Sequence, residues 1–500
     1  MWYKQMNKKA AKNVITGFGG QFIIIVLGII IPRMMIGSYG SDVNGLLSTI
    51  GQIFTYMALL EAGIGQAARN ALYKPISEKN NEGISYVVSV AQRYYGRVTV
   101  WYGIAVIIFA LVAPLLIKTN VDYLTVTLIV LFEGMSGVIN FYFIQTKTTV
   151  LAADGKSYIN NGINVVNKVV SYSVKIVMAA FGLNIIFLQL VYFIITVVKS
   201  VFYKIYFKSH YSWIDYNIAP KTAKLKDRSS YIITEIAWTM FSSTDMIVLS
   251  MFVNTTASSI YGVYNMVFSN INVLLNTVYM SVNYMLGQTY YKDREKYIQL
   301  HDSFSSIFFG AMTVFMSVAY ILIIPFIRLY TNGIADADYI NPSLPILFCL
   351  VQIISWSRYI PGNLTAVAGF VKQTSRISLV EAFINITFSI ILVRKYGISG
   401  VLFATVIALP LKVVYCIYLS EKVILKRSVM KSILILGANY TVFLIAVIFE
   451  KTVSLNIESW FGFFGIGFLL ASIFLILGAV LNIIVNRECL KIVKTWLMKK

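Results

Sequence analysis

The chain alternates long apolar runs with short polar connections. About 20 apolar residues cross a bilayer, and reading for runs of that length predicts roughly 14 helices. They fall at 14–36, 43–68, 98–117, 124–146, 159–181, 184–206, 230–252, 257–287, 304–328, 343–369, 377–393, 399–420, 432–449 and 460–485. One run carries an internal pattern of its own. In INNGINVVNKVVSYSVKIVMAAFG, Asn161, Asn164, Lys168, Ser171 and Lys175 step by three, four, three and four, so they share one face of a helix.

The basic residues set the orientation. Most Lys and Arg lie in the N-terminal segment and in every second connection, including KTAKLKDR (221 to 228), EKVILKRSVMK (421 to 431) and the tail CLKIVKTWLMKK. Cytoplasmic loops hold such residues, so both termini are predicted cytoplasmic. The N-terminal run follows a basic start with no small-residue cleavage site, and it reads as a retained first helix.

Composition agrees with this pattern: 58% of residues are hydrophobic, 13% are charged, and the mean hydropathy is +0.74. A soluble domain carries about twice that charge. The net charge of +21 is read as topology signal and contact with anionic membrane lipid, and no nucleic-acid partner is expected. Three scattered cysteines and two histidines offer neither a disulfide framework nor a metal cluster, so no metal ligands are predicted. Walker, zinc-protease and nucleophile-elbow motifs are missing too, and no catalytic residues or cofactors are assigned.

An internal repeat organises the helices. Gly45 aligns with Gly262, Ala153 with Ala368, Gly182 with Gly397 and Lys199 with Lys412, at separations of 213 to 217 residues. The predicted fold is therefore an all-α polytopic membrane protein with two six-helix lobes, 1–210 and 225–425, related by an axis along the membrane normal. Two further helices (432–485) and a basic tail (486–500) follow.

Ten ionisable residues fall within these spans: Lys168, Lys175, Lys199, Arg358, Lys412, Glu61, Glu133, Glu235, Asp245 and Glu381. A charge at mid-bilayer costs at least about 2.5 kcal/mol, so each needs a partner or a hydrated cavity. Lys168 lies near the middle of its helix, where snorkelling is difficult, and it faces either a cavity or an ion pair with Glu133. Lys175 is closer to the outer end. The matching helix of the second half carries Ser378, Glu381, Asn385 and Ser389, polar but without lysine. A cavity with one cationic wall suits an anionic substrate such as a phosphate. Asn164 shares the lysine stripe. Arg358 precedes Pro361 and Gly362, where a bend serves either gating or packing. Arg33 and Arg69 end the first two helices, and interfacial anchoring explains them as well as ligand binding does.

Three stretches carry a family resemblance: IPRMMIGSYGSDVNGLLSTIGQIFTYMALLEAGIGQAARNAL, TDMIVLSMFVNTTASSIYGVYNMV and YGISGVLFATVIA. They resemble bacterial polysaccharide flippases, the O-antigen and capsule translocases of the multidrug/oligosaccharidyl-lipid/polysaccharide (MOP) exporter superfamily. The resemblance implies 14 helices around a central cavity, alternating access, and transport of an isoprenoid diphosphate-linked oligosaccharide from the inner to the outer leaflet of a bacterial plasma membrane. It implies cationic ligands for the diphosphate, a role that falls on Lys168, Lys175, Arg33 or Arg69, with Asn164 and Arg358 as further candidates. It also implies coupling to H+ or Na+, for which Glu61, Glu133, Asp245 and Glu381 are the available acids, and it places the polysaccharide polymerase machinery among candidate partners. A cation-coupled multidrug antiporter of the same superfamily is the alternative. A membrane glycan polymerase or ligase is a third reading, weakened because the longest outer connection, RLYTNGIADADYINP, has only 15 residues.

Overall fold

The computed structural model describes the backbone of residues 2–61, 64–218, 228–453 and 455–489; side chains are not described at 2–22, 60, 66, 228–235, 237–238, 241–242, 281–285, 288 and 291–292. The Glu235 side chain and most of the basic stretches at 221–228 and 486–500 therefore lie outside the described residues. Every described element is helical, as the hydropathy pattern requires. Without water, a membrane-spanning backbone satisfies its own N–H and C=O groups most simply in a helix.

The helices are α1 (Trp2–Met57), α2 (Ile64–Ser77), α3 (Asn81–Leu116), α4 (Tyr123–Ile139), α5 (Gln145–Ala153), α6 (Ser157–Ala180), α7 (Ile185–His210) and α8 (Arg228–Phe252). They continue with α9 (Thr255–Lys292), α10 (Arg294–Tyr330), α11 (Leu344–Ser357), α12 (Tyr359–Val367), α13 (Val371–Tyr418), α14 (Met430–Thr452) and α15 (Trp460–Val485). Ten described helical segments are long and apolar enough to cross a membrane.

Several runs that the hydropathy pattern treats as separate or continuous are organised differently. The first predicted span and the second as far as Met57 form one helix with a break at Gly40 (φ 85°, ψ 164°), the rest of the second continuing through a 3-10 turn (Ala58–Glu61) toward α2, and the eleventh and twelfth form another with a break at Gly397 (φ 54°, ψ −129°). Both conformations are closed to side-chain-bearing residues, so only glycine turns the chain there without a loop. Conversely, the tenth span is split at Arg358 into α11 and α12, and the fourth is interrupted by a π-helical turn at Asn140–Ile144 before α5. The repeat is visible in turn chemistry: Gly182, aligned with Gly397, also has positive φ (65°).

Two compact units result, Met1–Ser259 and Ile260–Lys500. In the first, α3 packs on α4, α4 on α7, and α6 on α1. Its core centres on Tyr95, Tyr102, Val106, Ile129 and Val130, all fully or nearly fully buried. α8, which the repeat places at the start of the second half, packs against α1 in this unit. A polar seam joins α1 to α8 and to the start of α9: Thr49 pairs with Ser250 and Tyr56 with Thr244 on α8, and Asn44 Nδ2 donates to Ser259 Oγ on α9 at 2.8 Å. At the start of α6, Lys156 bonds Asp154 (2.7 Å) and the Tyr211 hydroxyl (3.0 Å). Burial disfavours that ammonium, but these partners outweigh burial and hold the amine above its ordinary range.

In the second unit α10 is the central helix, flanked by α11, α14 and α15. Phe348 stacks between Tyr264 and Phe268 at centroid distances of 5.8 and 5.2 Å. Helices α14 and α15 are joined by the reciprocal amides of Asn439 and Asn482 (3.2 and 2.9 Å), a strong fastening where no water competes. Arg427 clamps the buried Asp302 and Glu421 together, with Lys431 Nζ 3.0 Å from Asp302.

Gly45 is where backbone approach is tightest, because a Cβ there would lie 1.7 Å from the Thr255 carbonyl oxygen. The obstacle is backbone, so it cannot swing aside. Gly45→Ala is expected to destabilise the first unit by about 2 kcal/mol or more, read as a lower thermal inactivation temperature in detergent. Gly51→Ala, with open space around its Cβ, is expected to be near neutral.

Candidate substrate-facing site

The lysine stripe of α6 resolves into distinct environments. Val166, Val170 and Val177 are exposed (62, 44 and 52%) and define the outer apolar face of the helix. At about 100° per residue, each lies within roughly 20° of diametrically opposite Lys168. Lys168 is itself exposed, so it opens onto space on the side away from that apolar face. It makes no hydrogen bond or ion pair among the described residues. Ser171, one turn on, is buried. Asn164 turns to Asn160 at 3.5 Å.

Lys175 is half-buried and differently held. Its Nζ lies 4.6 Å from the ring centroid of Tyr192 on α7, a cation–π contact. Glu133 on α4 acts on it electrostatically without reaching ion-pair distance, and Gln189 Nε2 donates to Glu133 at 3.5 Å. Glu133 is thus associated with Lys175, not with Lys168, because Lys175 sits two turns further along the helix.

The other candidates divide by unit. In the first, Glu61 accepts from Gln145 Nε2 at 2.9 Å, Asp245 is buried in α8, and Arg33 is half-buried beside Pro32 in α1. Arg69, in α2, has a buried Nε with no hydrogen-bond partner among the described residues, an N–H left available for an acceptor. In the second unit Arg358 and Glu381 find each other. Arg358 Nη1 donates to Glu381 Oε1 at 2.5 Å, and both side chains are buried (7 and 3% exposed). Lys412 adds its field to this pair, and Asn385 donates to Thr405 at 2.7 Å beside it. The break between α11 and α12 therefore carries an ion pair. Arg358 would have to give up Glu381 to bind cargo.

Sequence reading left Lys199 out of the candidate site, yet it lies on α7 within electrostatic reach of Lys168. The signal was present in its alignment with Lys412. What the one-dimensional pattern lacked was the register between α6 and α7.

The architecture is that of a multi-pass, all-α membrane protein with lysines inside its apolar helices that make no ion pair among the described residues, and solved structures sharing its fold are transporters. The lipid II flippase MurJ, in an inward closed conformation, superposes with a TM-score of 0.68 at 16% identity, covering 95% of this chain and 100% of that one. An inward-facing multidrug resistance MATE family transporter of the MOP superfamily gives 0.66 at 12% identity, covering 83% and 96%. The MATE multidrug transporter DinF-BH gives 0.60 at 16% identity, covering 83% and 94%. No family model matches the sequence, and no curated protein matches it.

Removing either member of the Arg358–Glu381 pair leaves a buried charge without its partner. Arg358→Leu and Glu381→Leu are each expected to lose roughly 3–5 kcal/mol, whereas the double variant recovers most of that stability. Thermal inactivation of the three purified variants in detergent checks this, and a double variant as unstable as the singles would contradict it.

Proposed function

We propose that the chain is a flippase that carries an isoprenoid diphosphate-linked oligosaccharide from the inner to the outer leaflet of a bacterial plasma membrane, for surface polysaccharide synthesis. The observation that carries this reading is the position of Lys168: mid-helix, without an ion pair among the described residues, and opposite the outer apolar face of α6. A bare ammonium there costs several kcal/mol unless water or an anionic ligand solvates it. A sugar diphosphate supplies that anion. The fold shared with MurJ over nearly the whole chain supports the same reading.

The physical task is to shield a polar head group from hydrocarbon during crossing, and no bond is made or broken. Alternating access accomplishes this when one set of ligands is offered to each leaflet in turn. On this reading both termini are cytoplasmic, and polymerase machinery receives the cargo outside. H+ or Na+ supplies the coupling, with Glu61, Glu133 and Asp245 as the acids. Glu381 can join them only by exchanging Arg358 for the ion. A cation-coupled multidrug antiporter is the second reading, favoured by the fold shared with MATE transporters. It predicts resistance to cationic dyes in cells that express the chain.

Leaflet-resolved accessibility of a labelled undecaprenyl-diphosphate oligosaccharide in proteoliposomes separates the two readings. Wild type is expected to move the lipid, Lys168→Ala to lose about tenfold or more in rate, and Lys168→Arg to keep part of it. Lipid movement undiminished in Lys168→Ala would remove the lysine from the site. Dye efflux with no lipid movement would favour the antiporter.

A further inference from the structure

α9 is 38 residues long, yet it falls outside the ten described segments apolar enough to cross a membrane, because asparagine and serine interrupt its run. These polar residues are ordered. Asn265, Ser269, Asn272, Asn276 and Tyr279 step by four, three, four and three, so they share one face of the helix. Leu274 and Val278 are 50 and 49% exposed and mark its outer apolar face. At about 100° per residue, they lie roughly 140° to 180° around the axis from Ser269 and Asn276, which are exposed as well. α9 therefore turns an apolar face to lipid and its polar face the other way.

The polar face is fixed to the helices beside it. Asn272 Nδ2 donates to Gln352 Oε1 at 2.8 Å, and Asn272 Oδ1 accepts from Trp356 Nε1 at 2.7 Å, which locks α9 to α11. The Trp356 ring lies 4.1 Å from that of Tyr359 at the start of α12, and Tyr359 meets Tyr279 edge-on at 5.3 Å. Tyr359 is thus tied to α9 on both sides of Asn276. The amides of Asn265 and Asn276 and the hydroxyl of Tyr359 make no hydrogen bond among the described residues, and none of these three residues is buried. Polar groups left unpaired at membrane depth are costly unless water or a ligand meets them.

The chemistry of this face is neutral. α9 carries no Asp, Glu, Lys or Arg before Lys292, and Arg358, next to Tyr359, is held by Glu381. A diphosphate finds no cation on α9, and a cationic drug finds no acid. Amides and a phenol both donate and accept, so they match an uncharged ligand dense in hydroxyl groups, and an aromatic ring beside them receives the C–H face of a pyranose.

We propose that Asn265, Ser269, Asn276 and Tyr359 form a subsite for uncharged sugar residues, separate from the lysine stripe of α6. The subsite rests on the flippase reading for the presence of a glycan, and it goes beyond that reading by selecting among glycans. Neutral hexoses and N-acetylhexosamines are accepted there. A sugar carrying a carboxylate is rejected, since its charge would lose water without gaining a cation.

The test uses the purified full-length protein in detergent and three synthetic ligands. These are bare farnesyl diphosphate, farnesyl diphosphate bearing a disaccharide of N-acetylglucosamine, and the same lipid bearing a disaccharide that ends in glucuronic acid. The neutral disaccharide is expected to tighten binding about tenfold over the bare lipid, and the acidic one to give no gain. Asn276→Leu and Tyr359→Leu are each expected to bring that tenfold ratio close to one, while Asn276→Gln, which keeps the amide, retains part of it. Unchanged thermal inactivation shows that the variants are folded. A diazirine on the terminal neutral sugar is expected to label α9 between Asn265 and Met280 or α12 between Tyr359 and Asn363. Equal affinity for the bare and neutral ligands in wild type, an equal gain with the acidic one, a full gain in both leucine variants, or labelling elsewhere overturns the proposal. Absence of binding by all three ligands overturns it too. If the gain and the labelling appear but wild type flips no lipid-linked oligosaccharide in proteoliposomes, the flippase reading falls and the subsite stands. If wild type flips the lipid without any sugar-dependent gain, the subsite falls and the flippase reading stands.

Discussion

A charge at membrane depth must be compensated, and most of what distinguishes the two halves of this protein follows from how each half does it. In the second unit compensation is internal. Arg358 and Glu381 sit 2.5 Å apart in a buried pair at the break between α11 and α12, with Lys412 in their field. In the first unit it is partial: Glu133 serves Lys175, the Tyr192 ring helps, and Lys168 and Lys199 are left to solvent or ligand. The second unit thus pairs its buried charge internally, whereas Lys168 in the first makes no ion pair among the described residues. An open cationic site is what an anionic cargo requires, since a fully paired site would have to break its own bonds before binding.

The backbone obeys a parallel constraint. Every break in a spanning helix must leave its polar groups satisfied, and the breaks here occur where that is cheapest. Gly40 and Gly397 turn the chain in one residue, and the π-helical turns at Asn140–Ile144 and Leu419–Ile424 keep their bonds with altered pitch. Such turns are frequent near functional elements because they re-aim the side chains that follow. Gln145, immediately after the first, is the residue that reaches Glu61. Between helices, short hydroxyl and amide contacts replace hydrophobic packing as the source of specificity. Asn439 with Asn482 and Asn44 with Ser259 are the clearest cases, since lipid tails already satisfy apolar surfaces.

The likeness to MurJ and to MATE transporters at 12 to 16% identity shows how little sequence this architecture needs. Apolar runs of the right length, glycine at the tight turns and small residues at close approaches are enough. Gly45, whose missing Cβ admits the Thr255 carbonyl, is such a position.

The sequence by itself determined the helical class, most of the long apolar spans and the face of α6 that carries Lys168, because all three depend on the periodicity and length of apolar runs. It could not decide which charges meet. Arg358 and Glu381 were legible as separate candidates 23 residues apart, but their pairing depends on how α12 and α13 pack. Glu133 was one of two alternatives for Lys168, the other being a hydrated cavity, and only the relative height of α4, α6 and α7 associates it with Lys175. One-dimensional pattern fixes direction around a helix axis, whereas register along the axis between neighbouring helices is set by tertiary contacts such as Asn160 with Tyr203, and it is register that brings charges together.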